Sequence, residues 1–312
     1  MNNIFRSLMY HYVRSFSNVN PYAKFKDINA FKDECKFLKQ SNEFYNISDL
    51  FLLDNTNDIN KIFLTFDDGL KDHLVVAEEL KSLNIKATFY ISIEPFFQKE
   101  VLPVHKAHII VSKIGPEALD LLFDVLKSEK IKNSDYLIKD SKNLYKEKYN
   151  TNNEEYNIKE FKRIINYYGN LNLRKFLLDN ILKKLNITSD PKKYYLSIDE
   201  IIYLDKLGFE IGSHSYSHTL LSRLDKEKQS LEILKSKIFL ENFLNHKVKS
   251  FCYPYGGIDS YNSDTLDLLK FNEFESAVSV GSRDIDQKDI LNRFEIPRYD
   301  CNQINELYRI NN

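Results

Sequence analysis

Residues 65–69 read Thr-Phe-Asp-Asp-Gly, directly after the apolar run Ile62-Phe63-Leu64. Aspartate is depleted in strands and costly to bury unless it is paired or bound to a cation, so two adjacent carboxylates at a buried strand end require partners. A bare Asp-Asp-Gly is an ordinary turn, and the rest of the chain decides whether Asp67 and Asp68 are more than that. Residues 212–218, Gly-Ser-His-Ser-Tyr-Ser-His, place His214 and His218 four apart, just after Phe209-Glu210-Ile211. On a helical turn that spacing brings two imidazoles to one side, as a shared ion requires. One carboxylate and two imidazoles leave open positions on Zn²⁺, and equally on iron, cobalt or nickel, which is the donor set of a catalytic site. A third segment, Phe-Cys-Tyr-Pro-Tyr-Gly-Gly at 251–257, ends another strand-like run in a Pro-Gly turn.

The elements around these segments alternate. Residues 61–66 read as a strand, 70–84 carry apolar residues at helical spacing, and 86–92 read as a second strand. Ser197-Ile198-Asp199-Glu200 is a capping-box pattern opening a helix that Gly208 is placed to end, and Phe209-Glu210-Ile211-Gly212-Ser213 follows as a strand. A helical pattern over about 222–244, a strand before the Pro-Gly turn, a helix at Asp264–Phe271 and a strand at 275–280 repeat the rhythm. Such alternation predicts an α/β fold with a parallel sheet or barrel, in which sites gather at the carboxyl ends of strands. From about 94 to 190 the rhythm breaks into Lys- and Asn-rich helical runs, read as a helical insertion within one domain spanning 1–312.

Composition narrows the partners. Hydrophobic residues make up 43% of 312, with 13% aromatic, enough for a real core. Lys plus Arg, 44, nearly balance Asp plus Glu, 45, so no global field draws nucleic acid, and contact with a membrane surface is left to local patches. No stretch approaches the roughly 18 apolar residues of a span, and residues 1–16 lack the apolar region of a signal peptide, so a cytoplasmic protein is expected. Cys35, Cys252 and Cys301 are too widely spaced for a zinc knuckle and are expected as buried thiols. Phosphoryl transfer is excluded by the lack of a glycine-rich phosphate loop before a helix.

Asp-Asp-Gly, then His-Ser-x-x-His, then Tyr-Pro-Tyr-Gly, in that order and each at a strand end, resembles the polysaccharide deacetylases, the NodB-like carbohydrate esterases. The resemblance runs over about 61–95 and 194–300. It implies a distorted (β/α) barrel of about seven strands and a metal-dependent removal of acetyl from an N-acetylated sugar. It also implies that Asp67 is the general base, that Asp68, His214 and His218 hold one divalent ion, and that the backbone N–H of Tyr255 binds the oxyanion.

Two family features are missing. Cys252 stands where the third motif usually begins with an arginine that orients the base; Arg293 or Arg298 could supply the guanidinium from another strand, and Arg298 is favoured. The usual C-terminal histidine, the general acid, is also absent, because no histidine follows His246. Residues 8–13, Leu-Met-Tyr-His-Tyr-Val, resemble the N-terminal strand of the circularly permuted branch that includes deacetylases of bacterial poly-N-acetylglucosamine, which makes His11 the candidate acid. Similar segments in permuted relatives suggest a substrate-side role for His105. Tyr255 and Tyr216 lie inside motifs and could stack on a sugar ring. His73, on the helix after the Asp-Asp-Gly turn, could touch the site but is expected to be solvated or capping, and His246 to lie on the surface.

Three function classes compete. A deacetylase acting in surface-polysaccharide or glycolipid synthesis accounts for all the motifs. A catalytically inactive sugar-binding relative is the alternative, because of the two missing features. A glycosidase would leave both histidines unused and needs carboxylates about 5–10 Å apart across a glycosidic bond.

Overall fold

A computed structural model describes residues 4–15, 20–53, 59–132, 136–138, 141–150 and 153–308. Among them the strands are, in chain order, β1 (Phe5–Tyr10), β2 (Val13–Arg14), β3 (Lys26–Asp27), β4 (Asn42–Phe44), β5 (Asn60–Phe66), β6 (Ala87–Ile91), β7 (Glu210–Ser213), β8 (Ser250–Cys252), β9 (Ser276–Val278) and β10 (Tyr299–Asp300). The main sheet runs β10-β1-β5-β6-β7-β8-β9 with every neighbouring pair parallel, and β4 pairs with the start of β5. It curls into a half-barrel, so the fold is a distorted α/β barrel. A parallel sheet covered on both faces needs continuous apolar strands rather than alternating ones. β5 buries six of its seven residues, mostly apolar, and β1 buries all six, including the polar Arg6 and Ser7.

Helices close the crossovers. His73–Ser82 follows β5, Ile198–Lys206 precedes β7, Lys226–Leu244 links β7 to β8, and Ser263–Phe271 links β8 to β9. The capping box expected at Ser197 is present, with its hydroxyl accepting from Glu200 N and the Glu200 carboxylate accepting from Ser197 N. The strand read at 8–13 ends at Tyr10, which leaves His11 and Tyr12 beyond the ladder. Cys35 and Cys252 are buried, whereas Cys301 is only half-buried.

Stacked aromatics fix the strand ends that matter most. Tyr10, Phe66 and Phe89 stand side by side on β1, β5 and β6, with ring centroids 5.2 and 4.9 Å apart, and all three are fully buried. The register Tyr10↔Phe66↔Phe89 sets the next residues, His11 and Asp67, at one level above the core.

The chain divides into two compact units. Met1–Ser15, Phe25–Gln98 and Lys192–Asn312 make the first, which holds the sheet; Phe16–Lys24 and Lys99–Pro191 make the second. The described part of the second unit is mainly helical, with Pro103–Ile114, Glu117–Ser128, Tyr156–Arg163 and Leu171–Lys184 as its principal helices. Ala107, Ile110, Ala118, Leu122, Val125, Phe161, Leu178 and Ile181 are buried in it.

Candidate active site

Asp67 leaves the end of β5 with its backbone N–H still donating to Tyr10 O, at 3.0 Å, so its carboxylate position is set by the sheet. It is 2% exposed, and a bare carboxylate there would be driven protonated. Arg298 prevents this. Its guanidinium grips Asp67 with two bonds, Nη1 to Oδ1 at 2.7 Å and Nη2 to Oδ2 at 2.9 Å. The remaining donors reach Ser279 O, Thr65 Oγ1 and Cys252 Sγ, so all five N–H groups of this buried arginine are satisfied. Burial raises the Asp67 pKa, but Arg298, His11 and His214 outweigh it and hold the carboxyl at about 2. Cys252 leaves room for this reach: its thiol accepts from Arg298 and lies 3.4 Å from Asp67 Oδ2. Arg293 is elsewhere, with its guanidinium over the Phe51 ring.

Asp68 points the other way because its backbone is left-handed, φ 80°, followed by Gly69 at φ 65°. An aspartate in that region is strained, and its carboxylate is thereby turned away from Asp67 towards the two histidines. His214 Nε2 lies 3.3 Å and His218 Nε2 3.2 Å from the same oxygen, Asp68 Oδ1. The pair does not sit on a helical turn, as the spacing suggested. Residues 214–218 are irregular, bending at Tyr216 and Ser217, and left-handed Ser215 and His218, φ 62° and 54°, make the reversal that converges the rings.

These three side chains fit a divalent cation. Metal–ligand bonds of about 2.0–2.1 Å at tetrahedral angles put neighbouring ligand atoms about 3.3–3.4 Å apart, close to the separations here. His214 Nδ1 lies 2.8 Å from Cys252 O, so its N–H donates to that carbonyl and the lone pair of Nε2 is presented to the site. Burial would lower the His214 pKa, yet Cys252 and Asp68 hold it well above its ordinary value, so the pocket favours a positive charge.

His11 completes the cluster. Its Nε2 is 3.8 Å from Asp67 Oδ2, and its side chain is 36% exposed where that of Asp67 is 3%, so the imidazole faces the open side. Tyr255 sits at φ 67° after Pro254, its ring 5.1 Å from that of His218. The ring of Tyr216 is half-buried, 5.8 Å from Phe97 and under the Lys235 ammonium, while its carbonyl accepts from Ile93 and Glu94. His105 belongs to the second unit, buried with its ring 5.9 Å from that of His108. His246 is at the surface and binds Asp205. His73, expected to be solvated or capping, is fully buried, with Nε2 3.0 Å from His11 O. The apolar run of its helix carried no signal for that contact.

A family model described as polysaccharide deacetylase matches residues 111–277, more than half of the chain, and that span includes His214, His218 and Tyr255. The chain belongs to the polysaccharide deacetylase family. Membership makes it a carbohydrate deacetylase, a hydrolase acting on N-acetylated sugar. The matched span begins after Asp67 and Asp68, which join it through the geometry above. No curated protein matches the sequence. Among solved structures, the Streptococcus pyogenes deacetylase PplD in complex with acetate shares the fold at 14% identity and TM-score 0.59, covering 96% of this chain and 93% of that one. IcaB from Ammonifex degensii does so at 13% and 0.54, over 98% and 95%. The BpsB deacetylase domain from Bordetella bronchiseptica does so at 13% and 0.53, over 96% and 98%. Among the described residues, no helix of this deacetylase is long and apolar enough to cross a membrane.

Proposed function

We propose that this protein is a metal-dependent deacetylase that hydrolyses the acetamide of an N-acetylated sugar in the synthesis of a surface polysaccharide or glycolipid. Asp68, His214 and His218 would hold one divalent ion, zinc first among the candidates. The observation that carries this reading is the convergence of both Nε2 atoms on Asp68 Oδ1, beside a second aspartate kept ionised by Arg298. When bound, the ion supplies a Lewis acid that polarises the acetamide carbonyl and brings the pKa of water towards neutrality.

The chain's own groups do the rest. Asp67 takes the proton of the attacking water, and Arg298 keeps it ionised and aimed. The backbone N–H of Tyr255 donates to the oxygen that gains charge as the carbonyl carbon becomes tetrahedral. His11 gives a proton to the leaving nitrogen as the C–N bond breaks, releasing acetate and a free amino sugar. The rival reading, an inactive sugar binder, drew on two absent family motifs. Arg298 at Asp67 and His11 beside it supply the same two functional groups from other segments of the chain, which supports an active enzyme.

The test is acetate release from N-acetylated nucleotide sugars, lipid-linked glycans and short chito-oligomers, with and without prior chelation. Release that chelation abolishes and Zn²⁺ restores is expected. Full metal occupancy with no release from any of the three classes would turn the assignment to the inactive binder.

A further inference from the structure

The sheet stops positioning the β1 strand just before its most important residue. The last ladder contact, Asp67 N to Tyr10 O, precedes His11, and His11 and Tyr12 have no strand conformation. Something else must set the direction of the His11 imidazole. Three contacts hold the segment that follows. Tyr12 O accepts from Lys26 N at 2.9 Å, the Tyr12 hydroxyl meets the Tyr194 hydroxyl at 2.6 Å, and the Arg14 guanidinium pairs with Asp72 at 2.6 Å. Each acts one residue or more beyond His11.

The His11 imidazole faces Asp67 Oδ2 at 3.8 Å, and the contact that holds the His11 backbone is His73 Nε2, 3.0 Å from the carbonyl oxygen. His73 is the first residue of the helix His73–Ser82, which begins three residues after the Asp-Asp-Gly turn. Its ring is fully buried between Phe66 and Phe89, at centroid distances of 5.5 and 5.7 Å. A phenylalanine ring would suit such walls better, since a buried polar ring costs free energy unless its hydrogen bonds are made. His73 Nδ1 meets no hydrogen-bond donor among the described residues. The polar atom that remains, Nε2, has one evident use, which is to donate to His11 O. Burial keeps the ring neutral, pushing its pKa down to about 4, so Nε2 carries a proton and Nδ1 does not.

We propose that His73 is a positioning residue: its Nε2–H fixes the backbone of His11 and thereby aims the His11 imidazole at the leaving nitrogen. The inference rests on the reading of His11 as proton donor. Rotation of one peptide at this point swings the imidazole by ångströms, and misplacement on that scale costs up to about 10²-fold in rate. The contact itself involves none of Asp68, His214 and His218.

The experiment compares His73→Phe, which fills the space without a donor, with His73→Gln, which restores one. His73→Phe should keep metal content and KM and lose about 10- to 100-fold in kcat; His73→Gln should recover much of that. In a His11→Ala background, His73→Phe should cost nothing further, because the group it aims is gone. If His73→Phe turns over like the parent while His11→Ala does not, the positioning role is refuted and the role of His11 stands. If His11→Ala turns over like the parent, the donor assignment itself fails. An undiminished effect of His73→Phe in the His11→Ala background also refutes positioning. Should His73→Phe not fold, ¹⁵N NMR of the parent decides: a protonated, slowly exchanging Nε2 on His73 at pH 7 is expected, and protonation at Nδ1 instead overturns the proposal.

Discussion

Arg298 and Asp67, 231 positions apart in sequence, form a two-bond ion pair in which the guanidinium is 1% and the carboxylate 3% exposed. The arginine is the residue just before β10, and the strand that lies between β10 and β5 is β1, which carries His11 just past its end. Three segments remote in sequence thus meet at one carboxylate.

Removing the guanidinium strands a buried negative charge. Arg298→Ala should lower stability by about 3–5 kcal/mol, the usual cost of breaking a buried pair from one side. Arg298→Lys should recover only part, since an ammonium cannot make the fork. Urea unfolding of the three chains measures this, and equal midpoints for parent and Arg298→Ala would show that the pair contributes little.

The metal assignment predicts that His218→Ala keeps the fold but loses stoichiometric zinc and acetate release. A catalytic ion is seldom the source of folding energy, so circular dichroism should be unchanged. Elemental analysis after dialysis is the check; full occupancy in the variant would remove His218 from the ligand set.

Asp67→Asn should retain the ion and lose about 10²- to 10⁴-fold in turnover, because the proton acceptor alone is removed. It also leaves Arg298 with a neutral partner, so its unfolding midpoint should fall. Turnover near that of the parent would dismiss Asp67 as base.

His11→Ala should bind metal normally and turn over on the order of 10²-fold or more slowly, the usual worth of a positioned acid. A leaving group of low pKa needs no such proton, so an activated acetyl ester should be hydrolysed at a rate much closer to that of the parent. A variant equally slow on both substrates points to disruption of the site as a whole.

Stability should fall with acid through His73. Its folded pKa is about 4 and its ordinary value 6.5, so the unfolded chain binds a proton first as the pH drops. The contribution is complete above about pH 6.5 and is lost between there and pH 4, amounting to about 3 kcal/mol. His73→Phe should flatten that part of the stability profile, measured by urea melts at half-unit intervals, and an unchanged slope would assign it to other groups.

Much of this could be read from the residues because the strands are buried on both faces. Largely apolar runs such as Ile62–Phe66 and Ala87–Ile91 admit few other interpretations, and polar motifs at their ends mark the level of the site. Arg298 came from the family resemblance instead, which asks for an arginine at the base where Cys252 stands, and it was favoured over Arg293. The conformation of His214–His218 was not legible: a spacing of four fits a helical turn, whereas left-handed backbone at Ser215 and His218 has no signature in serine or histidine. Nor was the burial of His73, whose partner is a backbone carbonyl and leaves no mark in any side chain. The ring neighbours of Tyr216, Phe97 and Lys235, were likewise not legible in the motif that carries it.

The placement of β1 between β10 and β5 also sets a timetable. A chain emerging from the ribosome exposes Asp67 long before Arg298 exists, and until then its carboxylate is stable only in water. The β5 strand end therefore has to stay wet during synthesis, and the dry, ionised site can close only when the last strand arrives. Contacts of such sequence separation are slow to form, and an unpaired edge left waiting for them is exposed to association with other chains. For this fold, prematurely terminated chains should be degraded or aggregate rather than accumulate as soluble, half-built enzyme.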